Sequence, residues 1–157
     1  MIPFRGVVFR ILPKGADPLA PASAPEGRFH RAGQGALYTS LSPEGTVVAI
    51  RRYLRADDRA RVIVPLAIEA DQIADLRGNS AASIVWQDLR AQGTPSPTWA
   101  FSDTARQAGA QGLLYSSRSR PELTHLVLFA PFDALRGQAG AAIDAEQALT
   151  GQRLQRI

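Results

Sequence analysis

Residues 27–44 put Arg28, His30 and Arg31 on a loop broken by Gly27, Gly33 and Gly35, and this loop runs straight into an apolar strand carrying Tyr38 and Ser40. Guanidinium forks and close backbone approach suit a phosphate-bearing ligand, and the strand holds an aromatic ring at a fixed distance behind them. A second stretch, residues 112–120, repeats the theme: Tyr115, Ser116, Ser117, Arg118 and Arg120 place hydroxyls and guanidinium at the end of another apolar strand. Two polar strand ends can face one pocket, here of nucleotide size. Taken alone, a loop with several basic residues is usually only a solvated connection, and it is the second segment that favours a ligand.

These residues need elements to hold them. Residues 7–12 read as a first strand with Arg10 inside it, followed by a long loop containing Pro13, Pro18, Pro21 and Pro25. An arginine in an apolar strand must meet a carboxylate or an anionic ligand if it is buried; on an edge strand it faces water. A second strand over 36–41 leads into Ser42-Pro43-Glu44, which supplies an N-cap, a proline at the first helical position and an acid in the first turn. The spacing of Val47, Ile50 and Leu54 predicts a helix over 43–55, with Arg51, Arg52 and Arg55 on a solvated face.

Residues 61–68 read as a strand in which Pro65 marks an edge or a bulge. A helical turn is expected over 71–76 and a helix over 80–91 carrying Ile84, Trp86 and Leu89, ended by Gly93, Pro95 and Pro97. Trp86 and Trp99 are expected to fill core space. A short helix over 102–109, closed by Gly109, precedes strands over 113–116 and 125–129, and the alanine-rich residues 133–157 read as a helix or a loosely packed tail.

Composition narrows the function. With 157 residues and 45% hydrophobic content, one domain over 1–157 can bury a real core, roughly 70% of the unfolded surface at this length. No apolar run approaches the roughly 20 residues of a membrane helix, and residues 1–5 lack the apolar core of a signal peptide, so a cytoplasmic protein is expected. There is no cysteine and there are two histidines, too few for a convincing zinc site, so no metal is expected. The net charge of +4 comes from 17 arginines and one lysine. Neither a basic helix of the base-reading kind nor an aromatic RNA-binding sheet is evident, so direct nucleic-acid binding is not expected, whereas an acidic protein partner would suit the charge. Phosphate-loop, GxGxxG, GxSxG and HExxH motifs are absent.

The order and spacing of Phe9-Arg10, Gly27-Arg28-Phe29, Ala36-Leu37-Tyr38, Asp103, Arg106, Gly109, Gly112-Leu113-Leu114-Tyr115, Ser116-Ser117-Arg118 and Leu126-Val127-Leu128-Phe129 resemble the RES-domain toxins of bacterial toxin–antitoxin pairs, over residues 7–130. Within that family the chain is most similar to the ParT-type toxins. The resemblance implies an α+β fold with a split, mixed sheet flanked by short helices, like that of ADP-ribosyltransferases. It also implies NAD as co-substrate, with its nicotinamide–ribose bond cleaved by transfer, hydrolysis or phosphorolysis.

On that resemblance Arg10 and Arg28 hold the dinucleotide with Arg31 as helper, Tyr38 packs on the nicotinamide, Ser117 matches the family's serine, and Ser40 and Tyr115 line the site. The implied partners are a cognate Xre/ParS-like antitoxin covering the NAD cleft and a host protein that accepts ADP-ribose. One departure stands out. The family's glutamate belongs eleven or twelve residues after the tyrosine, where this chain has Ala49 and Ile50. A carboxylate there would support oxocarbenium-like charge, so its absence disfavours hydrolysis and favours mono-ADP-ribosylation, in which a docked protein brings its own nucleophile. A NAD hydrolase or phosphorylase, and a binding module that has lost its chemistry, remain alternatives.

Overall fold

The computed structural model describes residues 1–53 and 60–148. Its longest elements, β1 (Ile2–Pro13) and β3 (Arg61–Asp75), pair antiparallel from Ile2↔Ile73 to Pro13↔Arg61. β2 (Ala36–Ser40) pairs with β5 (Thr124–Phe129), β5 with β4 (Gly112–Ser116), and β4 runs parallel to the end of β3 at Ile73–Asp75. β1 in turn meets β2 at one register pair, Phe9↔Ser40, which completes a circuit of paired strands. Beyond that pair the two strands diverge. The chain of residues 14–35 lies across the opening, tied to β2 where the Ala22 N–H donates to the Ala36 carbonyl at 2.8 Å. This is the split in the mixed sheet, and with its short flanking helices the architecture is the α+β class expected.

Both long strands exceed their sequence-predicted lengths. The helical turn expected over 71–76 is instead the end of β3, where pairing with β1 and β4 overrides the weak strand propensity of Asp71, Gln72 and Asp75. Pro65 marks no edge: it sits inside β3 opposite Phe9. Its carbonyl accepts the Ala139 N–H at 2.9 Å, so its missing N–H points to the same side, into the gap between Gln138 and Ile143 where no ladder partner waits.

The first helix, α1 (Pro43–Ile50), starts as read, with the Ser42 hydroxyl accepting the Gly45 N–H at 3.1 Å, and continues as a 3₁₀ turn over Arg51–Tyr53. Leu54, Arg55 and the Arg52 side chain, which the longer reading included, lie outside the described residues. The helix expected over 80–91 is broken into a 3₁₀ turn (Ser80–Ser83) and α2 (Gln87–Ala91). At the break the carbonyls of Ala82, in the 3₁₀ turn, and Ile84, just after it, accept from Arg28 Nη1 at 3.4 and 2.6 Å, and so face the loop rather than a continuing helix. α3 (Trp99–Gln107) is followed by Gly109 at φ +82°, a left-handed position that glycine adopts without steric cost.

The expected helical or loose tail is corrected as well. Leu135–Gln138 (β6) and Ile143–Asp144 (β7) are strands that add to β3, because the middle of that long strand would otherwise leave backbone groups unpaired. A helical stretch follows at residues 145–148, and 149–157 lie outside the described residues.

Alternation along the strands makes two apolar layers. Leu37, Leu114, Leu126 and Leu128 meet Leu66, Ile68 and Ile73 of β3 on one face, while Phe29, Ala36, Leu113, Tyr115, Val127 and Phe129 pack toward Ala105 of α3 on the other. Trp99 is buried beside this second layer, as expected, whereas Trp86 is half-exposed.

Candidate active site

Strand register fixes the site. Phe9 on β1 lies opposite Ser40 on β2, Ser40 opposite His125 on β5, and His125 opposite Tyr115 on β4, so four side chains form one row across four strands. Tyr38 lies two residues from Ser40, on the same face by the period of two. The row backs a cavity of about 290 Å³, whose wall also includes Arg10, Leu12, Ala24, Thr46, Ala49 and Ile50. It lies where β1 and β2 diverge. The sequence placed the pocket between the Tyr38 and Tyr115 strands; both residues line it, with the His125 strand between theirs. A larger groove of about 440 Å³ beside α3 has, among the described residues, Thr104 as its one polar side chain, so the chemistry points to the smaller cavity.

Each tyrosine is held by what surrounds it. The Tyr38 hydroxyl accepts the Phe29 N–H at 2.9 Å and donates to Nδ1 of buried His30 at 2.8 Å, while Nε2–H of His30 donates to the Ala24 carbonyl at 3.0 Å. That network fixes the His30 tautomer and commits the hydroxyl to the loop, leaving the ring to face the cavity. Burial raises the Tyr38 pKa well above its ordinary value, and it pushes Tyr115 up to about 12. Tyr115 is wedged between Phe29, edge-on at 4.8 Å, and His125 at 5.2 Å. Gly27 is required here, because a Cβ would lie 2.6 Å from the His30 ring and 2.8 Å from the Tyr38 hydroxyl oxygen.

The arginines divide. Arg10 lines the cavity and is tied to the proline-rich loop: Nη1 donates to the Pro18 and Ala20 carbonyls at 2.7 and 2.5 Å. Arg28 does not line the wall, yet it lies near enough to Tyr38, Tyr115 and His125 for its charge to act on them. Burial lowers the pKa of both Arg10 and Arg28. Arg31 faces away, paired with Asp103 at 2.6 Å and stacked 4.8 Å over Trp99. Ser117 is buried at the end of β4, where its hydroxyl accepts the Arg120 N–H at 3.3 Å, and it does not line the cavity. The structure thus gathers Arg10, Tyr38, Ser40 and Tyr115 around one space, with Arg28 at its side, and sets Arg31 and Ser117 outside.

Among the described residues no carboxylate lines the cavity. Ala49 and Ile50 occupy the place of the expected glutamate, and Glu44, at the start of α1, pairs with Arg120 at 3.1 Å instead. Sequence reading passed over His125, whose ring nitrogen Nδ1 lies 2.6 Å from Ser40 Oγ. Burial first, and the Arg28 charge second, pull its pKa down to about 4, so it is neutral at physiological pH. A polar residue opening an otherwise apolar strand was the available signal, but its partner depends on register. Among the described residues no cluster of His, Asp or Glu is arranged to hold a metal ion, and no helix is long and apolar enough to cross a membrane.

The splayed mixed sheet and its aromatic, arginine-flanked cavity define a small α+β protein with a ligand-sized site at the split. The RES domain family matches residues 7–147, and the chain belongs to that family. Five chains of known structure match the fold; among them is one from the crystal structure of the M. tuberculosis MbcT–MbcA toxin–antitoxin complex, at 17% sequence identity and a TM-score of 0.69, covering 95% of this chain and 90% of that one. This likeness is one of fold. No curated protein sequence matches the chain.

Proposed function

We propose that the chain is the toxin of a toxin–antitoxin pair and uses NAD to mono-ADP-ribosylate a host protein. The observation that carries this reading is a cavity with two tyrosine rings, Arg10 in its wall, Arg28 nearby and no carboxylate among the described residues of its lining, in a chain of the RES family. At about 290 Å³ the cavity is at the lower end of small-molecule sites, roughly 300–1,000 Å³, and suits one half of a dinucleotide.

The nicotinamide end fits the apolar, ring-lined interior, with Tyr38 and Tyr115 as flat walls. The pyrophosphate falls to Arg28, whose guanidinium offers charge-assisted hydrogen bonds, with Arg10 as a second cation once it leaves its loop carbonyls. Ser40 stands behind the substrate in the row, hydrogen-bonded to His125. Arg31 and Ser117 act from outside, through Asp103 and Trp99 in one case and the 117–120 turn in the other. Positioning of this kind supplies proximity without an activated water, which favours a protein nucleophile over bulk hydrolysis or phosphorolysis. The match to a chain from a toxin–antitoxin complex supports an antitoxin partner, here an Xre/ParS-like protein over the cleft, and we place its action in the cytoplasm.

The test is to incubate purified protein with NAD labelled on its adenylate, with and without phosphate and cell lysate. Label appearing on a lysate protein, and lost in Arg28→Ala, supports transfer. Rapid release of free or phosphorylated ADP-ribose without lysate makes the protein a hydrolase or phosphorylase, and NAD binding with no turnover makes it a binding module.

A further inference from the structure

The polar side chains in the cavity wall differ in what they already hold. Thr39 Oγ1 donates to the Leu126 carbonyl at 2.8 Å and Thr46 Oγ1 to the Pro43 carbonyl at 2.7 Å. Tyr38 is tied to Phe29 and His30, and Arg10 to Pro18 and Ala20. Ser40 and His125 hold each other, at 2.6 Å, in the centre of the four-strand row. Both are almost fully buried from bulk solvent, yet both line the cavity. A buried imidazole with a hydroxyl on Nδ1, facing a substrate-sized space, is the arrangement in which one ring nitrogen is fixed and the other left for chemistry.

We propose that His125, oriented by Ser40, is the general base of the ADP-ribosyl transfer, an inference that rests on the reading of NAD as substrate. With Nδ1–H donated to Ser40 Oγ, the Nε2 lone pair takes the proton of the acceptor nucleophile as that nucleophile bonds to ribose C1′. The C1′–N bond breaks, nicotinamide leaves with the electron pair as a neutral molecule, and the proton passes from His125 to solvent. NAD⁺ and a protonated acceptor become ADP-ribosyl acceptor, nicotinamide and one proton.

His125 matches the missing carboxylate in one respect and not in another. Its lowered pKa of about 4 lies near the ordinary carboxylate range, roughly 3.9–4.3. Its base form is neutral, however, and gives the oxocarbenium-like ribose no opposite charge. The groups around it are Ser40 and Tyr38 from β2, Tyr115 from β4, Arg10 from β1, Thr46 from α1 and the Arg28 charge from the loop. A pyrophosphate paired with Arg28 offsets that charge and makes His125 more basic in the complex than in the free protein.

The test measures NAD binding by calorimetry, and label transfer and nicotinamide release in lysate against pH, for wild type, His125→Gln and Ser40→Ala. Expected for His125→Gln is a loss of kcat of about 100-fold or more with the dissociation constant for NAD kept within about 3-fold. The acid limb of kcat should disappear with it. Ser40→Ala, which leaves the ring in place, should lower kcat by about 10-fold at unchanged KM and move that limb. It carries the test if circular dichroism shows His125→Gln unfolded. Wild-type turnover with either variant unchanged in kcat and pH profile, or loss of NAD binding in folded His125→Gln, overturns the proposal while NAD remains the substrate. Wild type that neither binds NAD nor releases nicotinamide overturns the reading of function, and the proposal falls with it.

Discussion

The Tyr38 hydroxyl donates to His30 Nδ1 at 2.8 Å while accepting the Phe29 N–H, so one strand side chain fastens the loop that carries Arg28. The tyrosine expected to serve as a ring against nicotinamide is thus also the anchor of the arginine loop. The two roles can be separated.

Tyr38→Phe keeps the ring and removes the anchor, leaving the Phe29 N–H and buried His30 Nδ1 without their partner. Unpaired buried polar groups cost about 1–3 kcal/mol each, so a loss of about 2–6 kcal/mol is expected in urea denaturation. NAD affinity should fall less in Tyr38→Phe than in Tyr38→Ala, which loses ring and anchor together.

Gly45 sits in the first turn of α1, where alanine would ordinarily favour the helix by about 1 kcal/mol. A Cβ there would lie 2.9 Å from Ser40 Cβ, too close without movement of α1 or Ser40. Gly45→Ala should therefore destabilise, by about 1–3 kcal/mol, and disturb the Ser40–His125 pair. A lower melting temperature together with reduced nicotinamide release is the expected result.

Stability should rise with pH between about 4 and 6.5. The folded state holds the His125 pKa at about 4 against an ordinary 6.5, so in that window the unfolded chain binds the additional proton. The contribution is complete above the unfolded value and is lost progressively as pH falls toward the folded one, by about 3 kcal/mol in all. His125→Gln should flatten this dependence in chemical denaturation. Arg28→Ala should raise the His125 pKa, followed by NMR on the ring protons, without restoring 6.5, because burial is the larger cause.

Ala49→Glu returns a carboxylate to the cavity wall where the family pattern has one. Opposite charge beside the ribose should speed nicotinamide release to water about 10-fold or more over wild type. An unchanged rate at unchanged NAD affinity would show that the carboxylate's absence does not limit hydrolysis.

Local chemistry made much of this protein legible from its residues. Ser42-Pro43-Glu44 starts α1, Gly109 ends α3, and the apolar runs of β2, β4 and β5 lie within a residue or so of the predicted ranges, because caps, left-handed glycines and alternation act over a few residues. The motifs around Arg28, Tyr38 and Tyr115 likewise pointed to the family and to one pocket. What exceeded local reach went astray. Asp71–Asp75 has little strand propensity and becomes strand because β1 and β4 pair with it, and β6 and β7 exist because β3 needed neighbours.

The sequence by itself determined the arginine-rich loop, the tyrosines, the family and the missing glutamate. Tertiary structure alone decided which of these face one space. Register across β1, β2, β5 and β4 aligned Phe9, Ser40, His125 and Tyr115, residues as far as 116 positions apart in the chain (Phe9 to His125), and so joined Ser40 to a histidine that no local pattern marked. It also turned Arg31 and Ser117 away from the cavity that holds the other candidates. A strand's own residues fix which side chains share its face, whereas the neighbour each one meets depends on pairing between distant segments, which is set when the whole sheet closes.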